Sequence, residues 1–109
     1  MLWADFGSPR GSEPAKRRPA IVLQDDWLLR SAFNTVIVVP LTSNTELASF
    51  PGNVLVTSAA SGLDRDSVAL VAQITSVGRK HLDPYPAATL PAYLLDQIKS
   101  GVRLAIGAG

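Results

Sequence analysis

Gly11-Ser12-Glu13-Pro14-Ala15-Lys16-Arg17-Arg18-Pro19-Ala20-Ile21-Val22-Leu23-Gln24 is a basic loop running straight into an apolar strand. Gly11 and Pro14 keep its first half out of regular structure. Ala20 to Leu23 is a short apolar run, the pattern of a buried strand. Pro19 suits a strand's first residue, where no ladder donor is needed. The pattern predicts a strand over 19–24 and leaves Lys16, Arg17 and Arg18 on the lip of a sheet. A run of this kind is most simply a solvated turn. It also suits recognition of a phosphate.

Downstream, Asp25 to Arg30 reads as a turn with an aspartate in capping position, and its Trp27 reads equally as a base-stacking platform and as a cover for the barrel. Asn34 to Leu41 carries the β-branched run of the next strand, and Thr42-Ser43-Asn44-Thr45 ends it in turn residues. If the two strands form an antiparallel hairpin, Arg18 at the start of one lies beside Pro40 to Thr42 at the end of the other. A guanidinium fork beside a hydroxyl is a clamp for phosphate oxygens.

Upstream, Leu2 to Phe6 alternates as a half-buried strand, with Leu2, Ala4 and Phe6 on one face. Further on, Asn53 to Thr57 is a short strand and Ser58 to Gly62 a small-residue loop. Ser67 to Val77 reads as one continuous strand. Pro84 and Pro86 break the chain again. Leu90, Leu94, Ile98 and Val102 recur every four residues, the stripe of an amphipathic helix capped by Thr89 and ending near Ile106. Gly101 inside it costs roughly 1 kcal/mol against alanine. Five short, mostly antiparallel strands and one C-terminal helix describe a mainly β protein: a small curled barrel closed by a helix, one domain over 1–109.

The 109 residues carry a net charge of +1, so nucleic-acid binding must rest on a local patch. Arg10, Lys16, Arg17 and Arg18 form one, opposed only by Glu13. With no cysteine and one histidine, thiolate and histidine-cluster metal sites are excluded, and a reducing compartment fits. No apolar run approaches the about 20 residues of a membrane helix, and Met1 to Asp5 lacks the pattern of a signal peptide. A cytoplasmic protein without metal or cofactor is the expectation.

Gly11-Ser12-Glu13, Arg17-Arg18-Pro19, Val39-Pro40-Leu41-Thr42-Ser43, Asp66-Ser67-Val68 and Gln73-Ile74 occur in an order and spacing that resembles the MazF/PemK family, toxins of type II toxin–antitoxin systems. The resemblance runs from about Leu2 to Ile106. It implies an SH3-like barrel, a homodimer, and sequence-selective cleavage of single-stranded RNA. It also implies an antitoxin that lays a flexible segment over the RNA groove. Arg18 matches the family's catalytic arginine and Thr42 its catalytic threonine or serine, the same pair the hairpin brings together. Ser12, Lys16, Arg17, Ser43 and Gln73 are the expected RNA contacts, although a glutamine in a strand is more often a hydrogen-bonded structural amide. Cleavage is expected through the substrate's own 2′-hydroxyl, leaving a 2′,3′-cyclic phosphate and a 5′-hydroxyl.

The chain departs from the family pattern twice. It starts at Met1-Leu2-Trp3, inside the first strand, where members usually begin with a basic residue, a glycine and an acid. Ala72 stands where some relatives carry an acid, which leaves the acid–base assignment open. Glu13, Asp64 and Asp66 are stand-ins for that acid at best and read first as loop or turn residues; His81 reads as an exposed loop histidine before a catalytic one, and Trp3 as structural. Two other functions compete. A gyrase-poisoning toxin of the CcdB type shares the fold but needs a tryptophan-glycine-isoleucine tail, whereas this chain ends Ala105-Ile106-Gly107-Ala108-Gly109. A non-catalytic RNA-binding barrel would not need both Arg18 and Thr42.

Overall fold

Strand β2 (Arg17–Val22) and strand β3 (Thr35–Thr42) form the expected antiparallel pair in the computed structural model, which describes residues 1–7, 17–23, 34–86 and 90–108. Ala20 faces Pro40, Ile21 faces Val39 and Val22 faces Val38. Continued by two residues, this register sets Arg18 opposite Thr42. On the other edge of β2, strand β1 (Leu2–Asp5) pairs Ala4 with Arg18 and Asp5 with Arg17.

Among the described residues the sheet has seven strands rather than five. Ser67 to Val77 is not one strand. It divides into β5 (Ser67–Ala69), a 3-10 turn (Val71–Gln73) and β6 (Thr75–Gly78). The register on β3 shows why. Leu41 faces Ala69 and Val38 faces Thr75, so three steps along β3 correspond to six along its partner. The surplus is taken up by the turn, which lets the sheet bend sharply between its two halves. Backbone donors hold the bend: Leu70 N–H donates to the Pro40 carbonyl at 3.0 Å, and Val71 N–H to Asn53 Oδ1 at 3.2 Å. Apolar residues follow one another on both sides of the break, so composition hides it.

Leu82–Pro86 is also a strand, β7, despite its prolines. It pairs with β1 at the sheet edge, where a missing N–H breaks no second ladder. The stretch 58–62 is a helical turn over Ser58–Ser61 rather than a loop. Thr57 Oγ1 accepts the Ala60 N–H at 3.2 Å, and Gly62 closes the turn at φ 80°. Strand β4 (Val54–Val56) pairs with β5.

Alternation along the strands makes two cores. Ile21, Val39, Leu41, Ala69 and Val71 pack with Val56 against Leu94, Ile98 and Val102 of the C-terminal helix, Ala92–Ile106. Ala4, Ala20, Val36, Val38 and Val77 pack on the opposite face. The helix starts after Pro91; Thr89, expected as its cap, lies outside the described residues. Gly107 closes it in the left-handed conformation at φ 71°. Gly101 lies against the backbone of Gly52, so the glycine that weakens the helix also permits its close approach to the Pro51-Gly52 turn. Among the described residues, no helix is long and apolar enough to cross a membrane.

Candidate active site

The β2 start and the β3 end meet at a cavity of about 460 Å³. Arg18 and Thr42 both line it, and both are half-buried. Arg18 is placed by β2, with the small Ala4 opposite it in β1. Thr42 is fixed on its other side by Val68 of β5. Thr42 Oγ1 accepts the Asn44 N–H at 3.2 Å, which orients the hydroxyl and leaves its own hydrogen to be donated.

Arg17 and Trp3 form one wall of the cavity. The Arg17 guanidinium carbon lies 4.9 Å from the centre of the Trp3 ring, and its Nη2 meets Asp83 Oδ2 at 2.5 Å. β2, β1 and β7 are thereby stitched together beside the site. The ion pair is partly exposed and contributes little alone, about 1 kcal/mol or less; the ring contact adds a similar amount. Trp3, expected to be structural, therefore also borders the candidate site. Ser43 is exposed on the same cavity. Arg10, Ser12, Glu13, Lys16 and Trp27 lie outside the described residues.

Gln73 is placed elsewhere. It lines a second cavity of about 630 Å³ between the end of β1 and β6, shared with Phe6, Ser76 and the exposed His81. Its Oε1 is buried and, among the described residues, accepts no hydrogen bond. The expected structural pairing of this amide is not formed through its oxygen. An unpartnered buried acceptor costs about 1–3 kcal/mol until something donates to it.

Gly62, Leu63, Arg65 and Ser67 also line the cavity, a contribution that sequence reasoning missed. The helical turn at 58–61 sends this segment back toward the end of β3, and no local pattern announces that path. Asp66 behaves as expected of a turn residue: its Oδ1 accepts the Ser58 N–H at 2.7 Å. Asp64 and Arg65 line the cavity itself. Among the described residues, no group of three or more histidine, cysteine, aspartate or glutamate side chains is arranged to hold a metal ion.

Residues 1–106 match the family model described as PemK-like, MazF-like toxin of type II toxin-antitoxin system. Endoribonuclease MazF6 of Mycobacterium tuberculosis is 43% identical over 103 residues, which cover 94% of this chain and 90% of that protein. MazF from Deinococcus radiodurans superposes with a TM-score of 0.78 at 23% identity, over 97% of this chain and 91% of that one. An endoribonuclease in complex with its cognate antitoxin, from Mycobacterial species, superposes with a TM-score of 0.71 at 18% identity, over 99% and 91%. The two superpositions establish a shared fold. The family match over residues 1–106 and the 43% identity go further: the chain belongs to the PemK-like, MazF-like toxins of type II toxin–antitoxin systems.

Proposed function

We propose that this toxin is an endoribonuclease that cuts single-stranded RNA at a phosphate held between Arg18 and Thr42. The observation that carries this reading is the convergence of the two side chains on one cavity, from facing strand ends. The 2′-oxygen on the 5′ side of the cut attacks phosphorus. The bond to the 5′-oxygen breaks, and the products are a 2′,3′-cyclic phosphate and a 5′-hydroxyl. Negative charge builds on the non-bridging oxygens in the transition state, and the Arg18 fork together with the Thr42 hydroxyl stabilises it there. Arg18 is no base, because a guanidinium stays protonated. The 43% identical relative is named an endoribonuclease, which supports the reaction class. The family match sets the gyrase-poisoning alternative aside.

Primer extension on a long RNA is the test. The expected result is a limited set of stops at one short motif, with 5′-hydroxyl ends that a kinase labels without prior phosphatase treatment. Cuts leaving 5′-phosphates would contradict it.

The same cavity is the proposed docking place of an acidic antitoxin segment. Arg17, Arg18 and Arg65 surround it, and one structural neighbour is an endoribonuclease solved with its cognate antitoxin. Reversing the charge at Arg17 and Arg65 should weaken both antitoxin and RNA binding and flatten their salt dependence; unchanged antitoxin affinity would refute the shared site. A homodimer in the cytoplasm completes the proposal. Of the apolar runs Val36 to Val39 and Val68 to Val71, Ile37 is exposed, whereas the valines are buried within the chain and supply no surplus for a partner. Exposed Phe50, Tyr93, Leu104 and Ile106 do. Light scattering at micromolar concentration should give twice the chain mass, and a monomer would count against it.

A further inference from the structure

Neither Arg18 nor Thr42 can take the proton that leaves the attacking 2′-hydroxyl. The segment Gly62 to Ser67 brings a group that can. Its backbone is pinned on both sides. Gly62 N–H donates to the Ser58 carbonyl at 2.9 Å, Leu63 N–H donates to Ser61 Oγ at 3.1 Å, and Asp66 Oδ1 accepts the Ser58 N–H at 2.7 Å. Ser67 is held by the β4–β5 ladder opposite Val56. Between these pins Asp64 lines the cavity of Arg18 and Thr42, and among the described residues its carboxylate accepts no hydrogen bond and forms no ion pair. Asp66, two residues on, is consumed in holding the turn, whereas Asp64 has no structural partner among the described residues.

We infer that Asp64 is the general base of the cleavage reaction, a role that rests on the RNA-cutting function proposed for Arg18 and Thr42. The 2′-hydroxyl proton passes to an Asp64 carboxylate oxygen as the 2′-oxygen–phosphorus bond forms. The phosphorus–5′-oxygen bond breaks with its electron pair on the 5′-oxygen, which takes a proton from water. Asp64 then returns its proton to solvent, so the step is an internal transesterification with no net gain or loss of atoms. Arg17 and Arg18 of β2 and the neighbouring Arg65 line the same cavity. Among the described residues that line this cavity, Asp64 is the one carboxylate.

The two possible roles of this charge differ in sign. A bystander carboxylate in a phosphate site repels the substrate, so its removal tightens RNA binding and leaves the chemical step alone. A base does the opposite to the rate. The experiment measures single-turnover cleavage and RNA dissociation constants for the wild type, Asp64→Asn, Asp64→Glu and Arg18→Ala, across pH, on one short RNA containing the mapped site. Asp64→Asn is expected to cut about 10²-fold more slowly while binding RNA as tightly as the wild type or tighter. Asp64→Glu should retain a good part of the rate. Circular dichroism melting should show both variants folded, since Asp64 makes no contact that holds the loop. An Asp64→Asn variant with wild-type rate and pH profile would overturn the inference alone, provided that Arg18→Ala is impaired. If Arg18→Ala cuts normally, the RNA-cutting reading of the site falls, and the role of Asp64 with it.

Discussion

Arg18→Ala lowers the single-turnover cleavage rate on the order of 10²–10³-fold, the loss typical of removing a donor aimed at developing negative charge. The substitution takes away a planar fork from a half-buried strand position that pairs with Ala4 of β1 and lies two residues from the β2–β3 ladder. Arg18→Lys should restore only part of the rate, because a point charge cannot bridge two oxygens of one phosphate. The partner residue discriminates further. Thr42→Ser keeps the hydroxyl and should keep most of the activity; Thr42→Val keeps the shape and should lose it. Thr42 Oγ1 also accepts the Asn44 N–H, so the melting temperature of Thr42→Val must be read beside its rate. A variant that melts normally and does not cut assigns the hydroxyl to the reaction. Wild-type rates in both Arg18→Ala and Thr42→Val would remove the clamp from the mechanism.

Gly101→Ala is the substitution with the largest expected effect on stability, and its sign runs against helix propensity. In an ordinary helix interior the change would add about 1 kcal/mol. Here the new methyl would overlap the carbonyl oxygen of Gly52 and stand 3.1 Å from Val71 Cγ1. Gly52 has little room to retreat: its φ of 87° closes the turn, and a β-carbon built there would itself lie 3.2 Å from the Gly101 carbonyl oxygen. Relief requires the helix to move away from the core it shares with Val56, Val71 and Leu41. The expected net cost is about 3 kcal/mol, at the upper end for overpacking, which lowers Tm by about 12–20 °C in a chain of this size. A raised melting temperature would mean that the helix does not approach the turn. Because Val71 opens the turn that carries Gln73, the same variant should also disturb the second cavity.

The parts of the site that lie on regular strands were legible in the sequence. Hairpin pairing follows from two β-rich runs of matched length, and it brings Arg18 to Thr42 with no knowledge of the rest. The helix stripe was equally plain, since Leu94, Ile98 and Val102 are all buried. What escaped depends on choices that composition does not record. Ser67 to Val77 is apolar whether it runs straight or breaks. The break is set by a register offset along β3, a property of two strands together. Leu82 to Pro86 looks like a chain breaker until its place at the sheet edge is known. Trp3, Arg17 and Asp83 meet only because β7 closes onto β1. Asp64 reads in the sequence as a turn residue and only a stand-in acid for the same reason: a four-residue helical turn, not a motif, brings its segment to the cavity at the end of β3. Local period reads faces; it does not read which distant loop folds over which strand end.

The central claim is that the substrate's own 2′-hydroxyl attacks a phosphate clamped by Arg18 and Thr42. One measurement addresses it most directly: cleavage of an oligonucleotide carrying a single 2′-deoxyribose on the 5′ side of the mapped cut, compared with the all-ribose sequence, each with and without EDTA. The account predicts that the all-ribose RNA is cut at the same rate in both conditions and that the deoxy substrate binds but is not cut. Cutting of the deoxy substrate, or inhibition of normal cleavage by EDTA, would contradict it.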